Sequence, residues 1–330
     1  MKFVTRKGLI HIGIALPVLA LALWWGSRYS CRCEGRDTRV IMPAKIEAVI
    51  LRTHVEAIAS SEHNVFNPAA LARAADYIEQ QWRAQGYAVS RLTYPVGKVE
   101  CANLEVTIPG KSVSNQIVVV GAHYDSVEGT AGANDNASGV AAMLEISRKF
   151  AGLPSDRTVR FVAFVNEEPP YFETEKMGSR VYAKACRERG DDIRAMFSLE
   201  TLGYYSDAPG SQKFPAFLFR LFYPSRGNFV AFVSDFKSRA LLKQAVAAFR
   251  GNSKFPVECI AMHPRVAGIG WSDHASFWRE GYPAVMVSDT AIFRYPHYHT
   301  EQDTPDKIDY NSLARVTEGL CGTIAALATQ

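Results

Sequence analysis

Apolar residues recur along this chain with two periods, and the alternation between them predicts the order of its elements. Lys45 to Ile58 places Ile46, Val49, Ile50, Ala57 and Ile58 on one face of a helix. A second helix begins at Asn67-Pro68, a capping residue with proline at the first helical position. It turns Leu71, Ala74, Ala75, Ile78 and Trp82 inward and stops at Gly86. Strand-like runs follow at Tyr87–Tyr94, Ala102–Ile108, Gln116–Ala122, Thr158–Val165, Met196–Leu199, Phe229–Val233 and Ala284–Val287. Helical runs at Ala137–Phe150, Ser179–Arg189, Arg239–Arg250 and Tyr310–Ala328 alternate with them. Ile117–Val120 and Phe161–Val165 are unbroken apolar runs, as expected of strands covered on both faces. The pattern predicts one three-layer α/β/α domain with a mixed central sheet over residues 40–330, without internal repeats.

Ahead of this domain, Leu9 to Trp25 carries no formal charge, follows Lys2, Arg6 and Lys7, and ends in Trp24-Trp25. That is the layout of a membrane segment with an interfacial aromatic end. A cleaved signal peptide is the competing reading. It needs small residues before the cut, whereas Trp24-Trp25-Gly26 and Arg28-Tyr29-Ser30 both carry bulky ones. The expectation is therefore an N-terminal transmembrane helix within residues 1–27, retained as an anchor, and a basic tether over 28–39. The basic flank predicts a cytoplasmic N-terminus and an exported body, secreted outright if the segment is cleaved.

Composition narrows the classes further. At 330 residues, with 48% hydrophobic and 21% charged, the chain can bury a large core, which excludes disorder, a coiled coil or a small disulfide scaffold. Of the +4 formal charge, the first 39 residues hold seven Lys/Arg against Glu34 and Asp37. A near-neutral body is not the footprint of a nucleic-acid binder. The six cysteines are scattered, and Cys31-Arg-Cys33 lacks zinc-knuckle spacing, so they read as structural or incidental.

Chemistry gathers where strands end. One strand runs into His123-Tyr124-Asp125-Ser126, followed by the loop 132–139; another runs into Asn166-Glu167-Glu168; a third ends at Glu200. His297-Tyr298-His299-Thr300 stands near the C-terminus, ahead of Asp303-Thr304-Pro305-Asp306-Lys307. In open α/β sheets, sites form beyond the carboxyl ends of strands. A two-metal hydrolase needs a carboxylate to bridge the ions, His or carboxylate ligands to each, and one carboxylate left over to take a proton from water. His123, Asp135, Glu168, Glu200 and His299 supply the ligands, and Glu167 is the spare base. Asp125 is placed to accept the second imidazole N–H of His123.

These clusters resemble the zinc-dependent aminopeptidases of metallopeptidase family twenty-eight, the group of bacterial leucyl aminopeptidases and aminopeptidase Y. The resemblance covers about residues 40–330. It rests on His-x-Asp at 123–125, Asn-Asp-Asn-x-Ser-Gly at 134–139, the Glu pair at 167–168 and His-Thr…Asp-Thr…Asp-Lys at 299–307. It implies a zinc-exopeptidase fold, two Zn2+ ions per chain and peptide substrates with free N-termini. Asp135 would bridge the ions, Glu168 and His299 would complete one site, and His123 and Glu200 the other. Glu167 would be the general base, and Asp135-Asn136 is where the family carries a cis peptide. His299-Thr300, rather than His297, matches the family motif.

Two departures stand out. Glu200 replaces the family's usual Asp, and Pro169 to Met177 is longer than the usual turn, an insert expected to reshape the pocket mouth. Taken singly, each residue has a plainer reading: a core histidine, a solvated Glu pair, an Asx turn at 134–136. Gly270 to His274 reads equally well as pocket lining or as a helix cap by Ser272 or Asp273. The aromatic residues Phe217, Phe219, Phe222, Tyr223, Phe229 and Phe232 read as pocket or core. Two rivals share the scaffold: a glutaminyl cyclase, which uses one zinc and no hydroxide nucleophile, and a non-catalytic binding ectodomain.

Overall fold

In the computed structural model, which describes residues 45–329, eight strands form one sheet. They are β1 (Ser90–Val96), β2 (Val99–Ile108), β3 (Val113–His123), β4 (Arg157–Phe164), β5 (Asp192–Glu200), β6 (Val230–Ser234), β7 (Val257–Ala261) and β8 (Ala284–Ser288). Their spatial order is β1-β2-β4-β3-β5-β8-β6-β7. The middle strands β4, β3, β5 and β8 run parallel, while β2 pairs antiparallel with β4 and β6 antiparallel with β8. The sheet is therefore mixed, as expected. Its parallel centre brings the ends of β3, β4 and β5 to one edge, where His123, the Glu pair and Glu200 lie.

Alternation along the central strands decides what covers them. Val118 and Val120 face a large cluster with Phe161 and Phe197, covered by α1 (Ala48–Ile58), α2 (Pro68–Ala84), α3 (Gly139–Phe150), α5 (Arg239–Asn252) and α8 (Tyr310–Ala328). Ile117 and Val119 face the other way, against Tyr182 and Cys186 of α4 (Gly178–Arg189) and Phe277 of α6 (His274–Arg279). Each fully buried apolar side chain contributes about 1.5–3 kcal/mol before chain entropy is set against it. A short helix, α7 (Ala291–Arg294), and a third cluster around Phe229, Ala231, Val233 and Met286 complete the second face.

The structure departs from the periodicity at several places. The buried stripe of α1 is Leu51, His54, Val55 and Ile58, and Val49 is 66% exposed. His54 can be buried because its ring nitrogen meets the Tyr77 hydroxyl at 2.8 Å. The edge strand β7 carries little sequence signal because Glu258 interrupts a run of only five residues. The 169–177 insert packs away from the apolar cavity described below. Tyr94 donates to the Lys176 carbonyl at 3.0 Å, and no insert residue lines that cavity. Cys101, Cys186 and Cys321 are buried thiols outside any disulfide. Among the described residues no helix is long and apolar enough to cross a membrane, and the segment expected to do so, residues 9–25, lies outside them.

Candidate metal centre

Asp135 sits in a tight irregular turn, Ala133–Ser138, entered through Gly132 at φ +67° and including a cis Asp135-Asn136 peptide. Neighbouring side chains tie the turn to the sheet edge. Asn136 donates to the Leu199 carbonyl at 2.9 Å and accepts the Thr201 N–H at 3.0 Å, which fixes the turn against the end of β5. Asp303, far along the chain, accepts the backbone N–H of Asn134 at 2.8 Å and of Asp135 at 3.1 Å. Gly139 follows because a Cβ there would lie 2.5 Å from the Leu199 carbonyl oxygen and 2.3 Å from Asn136 Oδ1. Asn166, Thr201 and His299 all hold positive φ, a conformation that costs non-glycine residues energy and concentrates at functional sites.

The six predicted residues converge. Asp135 reaches His123 Nε2 with Oδ1 at 3.2 Å and His299 Nε2 with Oδ2 at 3.1 Å, one oxygen to each ring. Glu200 Oε2 lies 3.3 Å from His123 Nε2, and Glu168 Oε1 lies 3.3 Å from His299 Nε2. Three groupings result, each with its ligand atoms within 4.8 Å of one another: His123–Asp135–Glu200, Asp135–Glu168–His299 and His123–Glu167–Glu168, of which the first two are triads that share Asp135. Glu167 Oε2 stands 3.9 Å from His123 Nε2, beside the triads.

Electrostatics make this a cation site. Buried polar atoms normally have hydrogen-bond partners, yet His123 Nε2, Asp135 Oδ1 and Glu168 Oε1 have none, and all three residues belong to these groupings. Among the described residues, no Lys or Arg forms an ion pair with these carboxylates; their partners are the two imidazoles. Buried charge without a counter-charge is costly. A His and carboxylate donor set of this kind suits zinc. Zinc therefore fits the residues present.

The same crowding shifts protonation. Burial, then the Glu200, Glu168 and Asp273 charges, push Glu167 well above the usual carboxylate range, against the pull of His123. Burial and Asp135 push Glu168 up to about 8, with His299 opposing. For His123, burial favours the neutral ring, but Glu200, Glu167, Asp125 and Asp135 outweigh it and raise the pKa. His299 rises to about 10: burial lowers it, and the bonds to Asp135 and Glu168 prevail.

Asp125 differs from expectation. His123 Nδ1 meets the Asp125 backbone carbonyl at 3.1 Å, while the side-chain oxygen is 3.7 Å away, too far for a hydrogen bond. The carboxylate instead accepts the backbone N–H of Glu167 and of Glu168, both at 3.1 Å, and so positions the Glu pair. Sequence reasoning left the role of Ser272 open. Its hydroxyl donates to Glu200 Oε2 at 2.7 Å and contacts Ser198 Oγ at 2.9 Å, and neither Ser272 nor Asp273 caps α6 through its side chain. Asp273 is buried in the same field, its carboxyl pushed up to about 7 by burial. His297 packs against Tyr295 and joins neither triad. Tyr298 stacks on the His299 ring at 3.9 Å.

From Glu200 and Tyr298 an apolar cavity of about 120 Å³ extends over β8, β6 and β7. Phe219, Tyr223 and Phe229 line it; Phe232 belongs to the opposite core, and Phe217 is 73% exposed.

Comparison with known proteins shows the family. The chain belongs to Peptidase family M28, whose sequence pattern matches residues 103–324. It is thus a hydrolase of peptide bonds. Uncharacterized protein YfbL of Escherichia coli is 35% identical over 258 residues, covering 76% of this chain and 78% of that protein. Leucine aminopeptidase 1 of Blastomyces gilchristii is 27% identical over 259 residues, 73% of this chain but 60% of that longer protein. Among solved structures, the LapA aminopeptidase of Legionella pneumophila superposes with a TM-score of 0.70 at 20% identity, over 86% of this chain and 73% of that one. A glutaminyl cyclase from Fimbriiglobus ruber has the same fold, with a TM-score of 0.65 at 18% identity over 87% and 98% of the two chains.

Proposed function

We propose that this chain is a zinc aminopeptidase with two co-catalytic Zn2+ ions, cleaving residues from peptides that have free N-termini. The observation that carries the reading is the placement of Asp135, one oxygen against each imidazole, between two otherwise separate ligand sets. His123 and Glu200 would hold one ion, Glu168 and His299 the other, and Asp135 both. When bound, zinc polarises the scissile carbonyl and makes water acidic enough to lose a proton near neutral pH. Glu167, which belongs only to the His123–Glu167–Glu168 grouping and is spare in the two triads that share Asp135, takes that proton and returns it to the leaving amine. Asp125 holds the backbone of Glu167 and Glu168 while the proton moves. Ser272 keeps Glu200, one methylene longer than an Asp, turned toward His123. The apolar stretch at 9–25 with its basic flank supports a membrane-tethered enzyme facing outward from the cytoplasm.

The fold shared with a glutaminyl cyclase favours a second reading, a one-zinc cyclase. Two complete ligand sets argue against it. Metal analysis of natively purified protein, with aminoacyl-nitroanilides and a glutaminyl peptide as substrates and with or without chelator, tests both. Two zinc ions per chain and chelator-sensitive release of nitroaniline are expected. One zinc with cyclisation of the glutaminyl peptide would overturn the aminopeptidase reading, and absence of zinc would favour a non-catalytic binding domain.

A further inference from the structure

The cavity beside the metal centre has a far end, and a carboxylate stands there. Ladder partners cross the sheet in a single row: Glu200 opposite Ser288, Ser288 opposite Ala231, Ala231 opposite Glu258. Paired residues on neighbouring strands project to the same face, and all four line the cavity. Three strand spacings of about 4.8 Å put the Cα of Glu258 roughly 14 Å from that of Glu200. Between them the walls are apolar, formed by Phe219, Phe229, Ile260 and Met286 among others, and no Lys or Arg is part of the lining.

We propose that this cavity takes the side chain of the substrate's N-terminal residue and that Glu258 selects a cationic one, lysine or arginine. The proposal rests on the aminopeptidase reading, since it needs the free amine held at the Glu200 end. The distances suit it. An extended lysine side chain spans about 6 Å and its charge-assisted hydrogen bond about 2.8 Å, together well over half of the row. The methylene stem lies along the apolar walls while the cationic tip meets the carboxylate, the division of labour long basic side chains prefer. A leucine side chain ends about halfway and leaves Glu258 unanswered. Burial raises the Glu258 carboxyl pKa while Arg250, on α5, pulls it down. Arg250 is not among the residues that line the cavity.

The test compares lysyl-, arginyl-, norleucyl- and leucyl-nitroanilides on the full-length, zinc-loaded enzyme and its Glu258→Gln and Glu258→Asp variants. Norleucine has nearly the length of lysine without its charge. The wild type should favour lysine and arginine over norleucine in kcat/KM. Glu258→Gln should shrink that lysine-to-norleucine ratio by about 10–100-fold, the worth of one charge-assisted hydrogen bond, and Glu258→Asp should recover part of it. A ratio unmoved by Glu258→Gln, or a wild type that prefers leucine and norleucine, would overturn the role of Glu258 and leave the aminopeptidase standing. Failure of the wild type to turn over all four substrates would instead remove the aminopeptidase, and the subsite with it.

Discussion

Replacing Asp125 with asparagine probes how the Glu pair is held. The carboxylate is 2% exposed and accepts two backbone N–H groups at 3.1 Å, those of Glu167 and Glu168. An amide of the same shape keeps one acceptor and turns its NH2 against the other N–H. It therefore loses one bond to a charged group, worth about 1.5–3 kcal/mol, and leaves a buried donor without a partner, for a total of about 2–5 kcal/mol. For a domain of this size the melting point should fall by roughly 3–8 °C. The backbone of Glu167 is one of the two groups the carboxylate holds, and displacement of about 1 Å in a catalytic group costs on the order of 10²-fold in rate. Thermal melts of apo and zinc-loaded protein, zinc content and kcat on one nitroanilide give the readout. A loss in kcat with little change in KM, and a lower melting point in both forms, is expected. If the variant melts within about 1 °C of wild type and loses only zinc, Asp125 serves the His123 ring and the clamp on the Glu pair is wrong.

Glu167→Gln should keep both zinc ions and lose about 10²–10⁴-fold in kcat, as removal of a general base does; near-normal turnover in a metal-loaded sample would take Glu167 out of the reaction. Ser272→Ala removes the donor to Glu200 and should weaken zinc at the His123 site by about 10–100-fold in a competition titration, with the other site little changed. On α1, Leu51→Ala should destabilise by about 2–5 kcal/mol in urea unfolding, whereas Val49→Ala at the 66% exposed position should stay within about 0.5 kcal/mol. The reverse order would mean that the helix presents the face its bare periodicity indicates.

The candidate metal ligands are legible because their surroundings announce them. His123, Glu168 and Glu200 follow apolar runs at the ends of buried strands, where a solvated charge has no reason to be. What joins distant segments was not legible. The clamp by Asp125 depends on a parallel register that sets His123 opposite Phe164, so that residues just beyond each strand end meet. No local signal encodes that neighbour. The bond from Ser272 to Glu200 likewise spans two separate stretches of chain. On α1 the pattern misled because both Val49 and Leu51 are apolar and His54 counts as polar. Packing against α8 and α3 selects the Leu51 side, and the Tyr77 hydroxyl makes the buried imidazole tolerable. The aromatic stretch near 217–232 divides between cavity, core and surface, a choice made by tertiary position and not by residue type.

Order of synthesis gives the Asp303 clamp a further meaning. The turn bearing Asp135 precedes its partners by more than 160 residues: its backbone is pinned by Asp303 and its second imidazole partner is His299. A polypeptide that stops short of those residues has neither, so the turn is held and partnered only once residues 299–303 have been made. Contacts spanning 164 to 169 residues of sequence thus decide when the two ligand sets can come together.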